Sequence, residues 1–461
     1  MKKNRIHPYI IIILSFLSII MIGTIALVMP FAMKSFESIG FTKALFMATS
    51  AVCVTGLSVV NLGAEFTIYG KLVMMILMEI GGLSIITIAV FFFTMLGAKI
   101  GVSNRFLLRE SLNQNTASGL ISLVRKIVII SFSIQIACAL LNLIEFIKIY
   151  PDFWHAFGVS LFHSAASFNN AGFDIFGSDS MIPYKSNILI NSTTMFMIVF
   201  GSMGFVVMDD IVKKRFKWSR LALHTKICIV TTLALIFGGA ILIKITLRDQ
   251  EFTWLQAFFE SITCRTAGFT TYDLANLKDY PASYIIFMML MLIGASPCST
   301  GGGIKTTTFA VVVLCIVYFG RGKSVKAFRR KIGHEQIFKA FVLLAIALLI
   351  VLIGTFMVGL FQPDLSYEDG TRIGVQEILF EVVSAFSTTG LSMGITGYLN
   401  PANRILLCFI MFFGRLGPLT IIGVLNKNWM GYSKEQIQYV EENVIIGWEL
   451  KRLKSHILLL A

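Results

Sequence analysis

The chain has 461 residues, 56% of them hydrophobic and 14% charged, with a mean hydropathy of +0.80. A soluble domain carries about 25% charged residues. A water-soluble fold cannot hide this much apolar side chain, so a soluble enzyme, a disordered chain and a collagen-like fibre are excluded and the bilayer is the expected solvent. The seven cysteines (Cys53, Cys138, Cys228, Cys264, Cys298, Cys315 and Cys408) are scattered and form no C-x-x-C pair. Neither a zinc site nor a disulfide framework is expected, and no cofactor is expected in this chain.

In chain order, eight segments approach the roughly 20 apolar residues a spanning helix needs: 8–33, 67–97, 122–148, 187–212, 223–247, 282–319, 336–361 and 402–425. The run from Tyr9 to Phe31 is too long for a signal-peptide core and reads as a retained span. Within each successive pair of spans lies a shorter stretch, at 42–54, 153–168, 253–264 and 375–387. These are too short to cross. They read as re-entrant helices, which a membrane tolerates where they are buried in protein or line water.

Charge placement gives an expected orientation. With the N-terminus inside and each pair returning the chain to that side, the inside segments are 1–7, 97–126, 209–226, 320–339 and 426–461. They hold 26 of the 39 Lys and Arg residues, the positive-inside pattern. The net charge of +14 is therefore mostly topology, and nucleic acid is not an expected partner. The cluster Arg321, Lys323, Lys326, Arg329, Arg330 and Lys331 is available to a cytosolic partner or to anionic headgroups.

The four short stretches align on their glycines: ALFMATSAVCVTGL (44–57), SLFHSAASFNNAGF (160–173), AFFESITCRTAGF (257–269) and ILFEVVSAFSTTGL (378–391). Phe46, Phe162, Phe258 and Phe380 each precede a glycine by ten residues. Thr42, Asp152 and Thr253 are expected N-caps. The unit is outer helix, pore helix, glycine turn, inner helix, present four times. A cation leaving water needs replacement oxygens, which rings of backbone carbonyls supply. Glycine adopts the required backbone angles without steric cost, and the negative C-terminal ends of the pore helices face the ion. Ordinary glycine C-caps are the alternative for any single turn, but four in one context point to a filter.

The motifs VTGL (54–57), NNAGF (169–173), RTAGF (265–269), TTGL (388–391), GGL (81–83), GGGIK (301–305) and GRLGPLT (414–420) make the chain resemble the Trk/Ktr/HKT superfamily of potassium-translocating subunits, of the bacterial KtrB/KtrD type. The resemblance implies an all-α membrane protein with eight spans and four pseudo-symmetric repeats around one pore. The expected divisions are 1–97, 98–213, 214–320 and 321–425, followed by a cytoplasmic tail at 426–461. It implies a non-enzymatic, channel-like subunit of the cell membrane with both termini cytoplasmic, working as a homodimer under a cytosolic ring of RCK/KTN nucleotide-binding (ATP/ADP) subunits. Potassium is the substrate, held at Gly56, Gly172, Gly268 and Gly390 by the turns Val54–Thr55–Gly56, Asn170–Ala171–Gly172, Thr266–Ala267–Gly268 and Thr388–Thr389–Gly390. Glycine in all four turns is the potassium-selecting pattern of the family. Cys53, Cys264, Cys298 and Glu79 depart from it. A secondary symporter coupled to sodium or protons is the alternative; the parallel sense of the repeats favours a pore.

The sixth span is interrupted by Ser296, Pro297, Cys298, Ser299, Thr300, Gly301, Gly302 and Gly303. Pro removes a helix hydrogen bond and Gly adds freedom, so a straight helix from Pro281 to Phe319 is not expected. The resemblance implies a gating loop beneath the filter; a packing kink is the alternative. A nucleotide P-loop fails because Ile304 separates the glycines from Lys305 and no soluble strand precedes them. Lys305 and Arg415 are intramembrane cations and hence functional candidates. The resemblance has Arg415 contact the loop; snorkelling or pairing with Glu79 is the alternative. Glu260 and Glu381 read as polar anchors behind the filter, Asn169 and Asn170 as orienters of the second turn, and His163 as a packing residue.

Overall fold

The computed structural model describes residues 8–84, 87–88, 90–91, 94, 120–177, 180–248, 251–368 and 370–417. The end of the 67–97 span, most of the inside segment 97–126, residues 1–7, 418–425 and the tail 426–461 lie outside them.

The chain is mainly helical. Helix α1 (Pro8–Val28) is followed by α2 (Phe41–Cys53) and α3 (Ile68–Leu83). Next come α4 (Leu120–Ile149), α5 (Phe153–Phe168), α6 (Ile188–Ser202) and α7 (Phe205–Lys213). Helices α8 (Leu223–Thr246), α9 (Trp254–Thr263), α10 (Pro281–Leu292) and α11 (Thr306–Phe319) lead to a hairpin of β1 (Lys326–Ala327) and β2 (Arg330–Lys331). The described part ends with α12 (His334–Phe361), α13 (Val375–Ser387) and α14 (Pro401–Leu416).

Among the described residues, α1, α4, α8 and α12 are each long and apolar enough to cross a bilayer. Their outer faces leave large apolar side chains exposed, such as Ile22 on α1 and Leu352 and Phe356 on α12, as expected of a lipid-facing surface. The short helices α2, α5, α9 and α13 are the opposite: Phe46, Ala48, Phe259, Phe380 and Ala385 are fully buried.

Local chemistry places the short helices. Asp152 caps α5 by accepting from the Trp154 and His155 amides, and Thr253 forms a capping box with Gln256 on α9. Thr42 is not a cap: α2 starts at Phe41 and its N-cap is Gly40, whose backbone lacks a capping side chain. The 187–212 segment is not one straight span. It breaks after Ser202 and turns by 92° into α7. Gly204, with φ +91, sits at the turn, a conformation that costs glycine little.

The packing order closes on itself. Helix α3 packs on α5, α6 on α9, α10 on α13, and α14 returns to α2. Each helix that follows a glycine turn thus covers the next short helix along the chain, and the last covers the first. This brings residues hundreds of positions apart to one centre.

Candidate functional site

The four glycine turns meet at that centre. Gly56, Gly172, Gly268 and Gly390 all have positive φ, at 97°, 66°, 83° and 92°. So do Val54, Asn170, Thr266 and Thr388, each two residues earlier, at 58°, 58°, 75° and 51°. Left-handed backbone at β-branched residues is rare and persists only where the surroundings enforce it. The glycines are themselves tightly crowded. A Cβ on Gly56 would overlap the Ala171 carbonyl oxygen, one on Gly172 that of Ala267, one on Gly268 that of Thr389, and one on Gly390 that of Thr55. Each carbonyl therefore lies against the glycine of an adjacent turn, and the four contacts run in a closed circle.

Three turns are built alike. The Thr55, Ala171 and Thr389 amides donate to carbonyls five residues back, those of Ser50, Ala166 and Ser384. The Gly56 and Gly390 amides donate to the Ser50 and Ser384 hydroxyls at 3.1 and 3.0 Å. The third turn is one residue tighter: the Ala267 amide donates to Thr263 O at 2.9 Å, only four back. The aromatic register shifts accordingly. Phe259 is fully buried, whereas Phe258, singled out by the ten-residue spacing, is half-buried and packs on Phe237 and Trp254.

The carboxylates on two of the short helices brace the chain beyond the turns. Glu260 accepts from the Thr271 amide (2.7 Å) and hydroxyl (2.9 Å). Glu381 accepts from the Ser392 hydroxyl at 2.7 Å and from the Thr396 hydroxyl. Both are buried anchors. The Asn170 amide meets the Thr266 hydroxyl at 3.2 Å, linking the second and third turns, and Asn169 donates to Ala165 O at 2.9 Å. His163 is a packing residue: its ring bonds the Thr194 hydroxyl at 2.8 Å and lies among Phe146, Phe176 and Phe269.

Residues 293–305 form an irregular loop between α10 and α11, wider than the expected 296–303 break. It lies against the turns: the Gly302 amide donates to the Thr388 hydroxyl at 3.0 Å, and Gly301 abuts the Thr266 hydroxyl. The Ser296 and Thr300 amides donate to Ser202 O and Gly201 O at 3.0 and 3.2 Å, and the Phe205 amide donates to Cys298 O at 2.8 Å. Lys305 curls back onto its own loop, donating to Gly301 O at 2.7 Å and Gly302 O at 3.3 Å. Arg415 donates to Thr300 O, to Gly81 O and, at 3.3 Å, to Gly82 O. It thereby ties the loop to α3. It does not pair with Glu79, whose neighbours are Asn169 and Gln135.

The sequence motifs contain Gly81, Gly414 and Arg265 without assigning them a role, and they pass over Gly201. Gly81, Gly201 and Gly414 seat against the Val52, Phe168 and Phe386 carbonyls, leaving no space for a Cβ. Gly201 belongs to no motif quoted above, although its setting, Gly201-Ser202-Met203-Gly204, carries the same small-residue signal. Arg265 is fully buried next to the third turn, with Nε and Nη2 lacking a partner among the described residues. Only its place in RTAGF marks it.

Residues 2–428 match TrkH, the cation transport protein family. The chain belongs to this family. Its members are transport proteins, not an enzyme class. It is 34% identical to the Ktr system potassium uptake protein B of Bacillus subtilis over 459 residues, covering 97% of this chain and 98% of that one. It is also 34% identical to the potassium/sodium uptake protein NtpJ of Enterococcus hirae, covering 96% and 98%. Among solved structures, the potassium transporter TrkH from Vibrio parahaemolyticus superposes with a TM-score of 0.69 at 19% identity, over 93% of this chain and 87% of that one. That likeness concerns the fold. The protein is accordingly a helical membrane transport protein.

Proposed function

We propose that the chain is the potassium-conducting membrane subunit of a Ktr-type uptake system. The observation that carries this reading is the closed circle of four glycine turns, in which each carbonyl abuts the next glycine. In this reading Val54–Gly56, Asn170–Gly172, Thr266–Gly268 and Thr388–Gly390 form the filter. Their carbonyls replace the hydration shell of potassium, and the C-termini of α2, α5, α9 and α13 add partial negative charge. Four pseudo-symmetric units, 1–97, 98–213, 214–320 and 321–425, surround one pore with eight spans, and both termini are cytoplasmic.

Loop 293–305 with Lys305 and Arg415 is the gate. The two cations also set an electrostatic barrier below the filter. A cytosolic RCK-type nucleotide-binding ring would bias the gate in a homodimer of this chain. The β1–β2 hairpin suits such a contact: its tip residues Phe328 and Arg329 both have positive φ, as a type I′ turn requires, and the tip is flanked by Lys326, Arg330 and Lys331.

The test is flux of potassium, rubidium and sodium into proteoliposomes, with and without imposed proton or sodium gradients. Downhill, potassium-preferring flux is expected. The name of the Enterococcus relative favours a second reading, symport of potassium with sodium. Uphill potassium movement driven by a sodium or proton gradient would replace the pore by that reading.

A further inference from the structure

Beside the hinge between α6 and α7, a shallow surface groove opens between α4 and α7. Leu123, Ile127 and Ile130 form one wall and Phe205, Met208 and Val212 the other. The first three follow helical spacing, so they make a continuous apolar stripe along α4. Lys126 and Asp209 complete the lining. Asp209 pairs with two lysines, Lys126 at 3.4 Å and Lys213 at 2.5 Å, and both ammonium groups stay largely exposed.

We propose that this groove binds one anionic phospholipid, and that its occupancy biases loop 293–305. An acyl chain fits the apolar stripe. A phosphate fits the lysine pair, because each ammonium has three donors and one shared carboxylate leaves the pair with net positive charge. Arg125 adds to that charge, whereas Lys214 is paired with Asp210 at 2.5 Å. The position suits a lipid: α4 is long and apolar enough to span, and its basic residues Arg125 and Lys126 lie at the start of that apolar run.

The link to the loop is direct. Phe205 lines the groove with its side chain, while its amide donates to Cys298 O at 2.8 Å. Gly204, one residue earlier, sits so close to the Pro297 carbonyl that a Cβ has no place there. A ligand that fixes α7 therefore fixes the residue holding the loop, and any difference in its affinity between two loop arrangements shifts their populations. The regulatory half of the proposal rests on the pore reading above; the binding half does not.

The experiment has two readouts on the full-length chain. The first is native mass spectrometry after delipidation and exposure to phosphatidylglycerol or phosphatidylcholine. Wild type is expected to retain one phosphatidylglycerol that Ile130→Trp, which fills the groove, and the pair Lys126→Gln/Lys213→Gln both lose. Equal retention by wild type and both variants, equal retention of phosphatidylcholine, or no retention by wild type overturns the site. The second is rubidium flux in phosphatidylcholine vesicles with rising phosphatidylglycerol. Wild-type flux is expected to change by about fivefold or more, the lower end of coupling between two sites, and the variants to follow only the shallow trend set by surface potential. Variants that track wild type across the series overturn the coupling. No wild-type flux in any vesicle overturns the pore reading and the coupling built on it, while the mass spectra still decide the lipid site.

Discussion

One contact that seats loop 293–305 on the fourth turn is the bond from the Gly302 amide to the Thr388 hydroxyl, 3.0 Å long and buried. Thr388→Val removes it with little else. Valine keeps the volume and the β-branch, so the backbone at φ +51 is no more strained than before. The Gly302 N–H then faces a methyl group. A buried donor left without its acceptor costs about 1–3 kcal/mol, a cost that applies only while the loop is seated. The seated arrangement is destabilised relative to a displaced one by that amount, which multiplies the displaced-to-seated ratio by about 5 to 150. In proteoliposomes without a regulatory subunit, rubidium uptake by Thr388→Val is therefore expected to exceed wild type by about fivefold or more. Thr388→Ser, which keeps the oxygen, is expected to stay near wild type. Potassium preference over sodium is expected to persist, because the variant leaves the carbonyls in place. Flux of Thr388→Val equal to wild type, in protein shown to be folded by its size-exclusion profile, would refute the claim that this bond holds a gate. A loss of selectivity would instead show that the hydroxyl belongs to the filter.

Serine at Gly56, Gly172, Gly268 or Gly390 places a Cβ on a neighbouring carbonyl and is expected to lower potassium-over-sodium preference, read from reversal potentials or competitive rubidium uptake. Wild-type preference in all four variants would remove the turns from the filter. Arg415→Ala frees the Thr300, Gly81 and Gly82 carbonyls and is expected to raise flux in the absence of a partner, as is deletion of 297–303; low flux in a folded deletion variant would make the loop a structural kink. Neutralising Arg329, Arg330 and Lys331 at and beside the hairpin tip is expected to weaken co-purification with a cytosolic nucleotide-binding ring, and unchanged co-purification with unchanged nucleotide response would clear the hairpin of that role.

What the sequence made legible was local. The short helices were bounded within a residue or two because their caps and glycines act on immediate neighbours: Asp152 and Thr253 start α5 and α9 as expected, and Pro297 with Gly301–Gly303 breaks the sixth span. Thr42 misled because a polar residue near a helix start resembles a cap, while Gly40 lets the chain enter α2 without one. The 187–212 segment hid its bend because apolar content measures length and not direction; Gly204 was the visible sign. Arg415 reaches backbone carbonyls, which no side-chain pattern reveals. The division of the chain and its orientation rest on charge and repetition in the sequence alone.

The third unit shows why a repeat in sequence is not a repeat in geometry. The ten-residue spacing selects Phe258 as the partner of Phe46, Phe162 and Phe380, yet its neighbour Phe259 is the fully buried ring. Only the tighter bond from Ala267 to Thr263 decides for Phe259. At the other three turns, a glycine of the following helix (Gly81, Gly201 or Gly414) seats on a carbonyl near the end of the short helix. In the third, the comparable glycine, Gly294, meets Gly302 of its own loop. The loop thus occupies the place that helix packing fills elsewhere, held by hydrogen bonds and by the close seating of Gly301 and Gly302 on Thr266 and Thr388. Packed helix contacts resist displacement collectively, whereas single buried hydrogen bonds are worth about 1 kcal/mol each. Of the four turns, the third is therefore the one expected to yield first if a bound partner or lipid biases the loop as proposed.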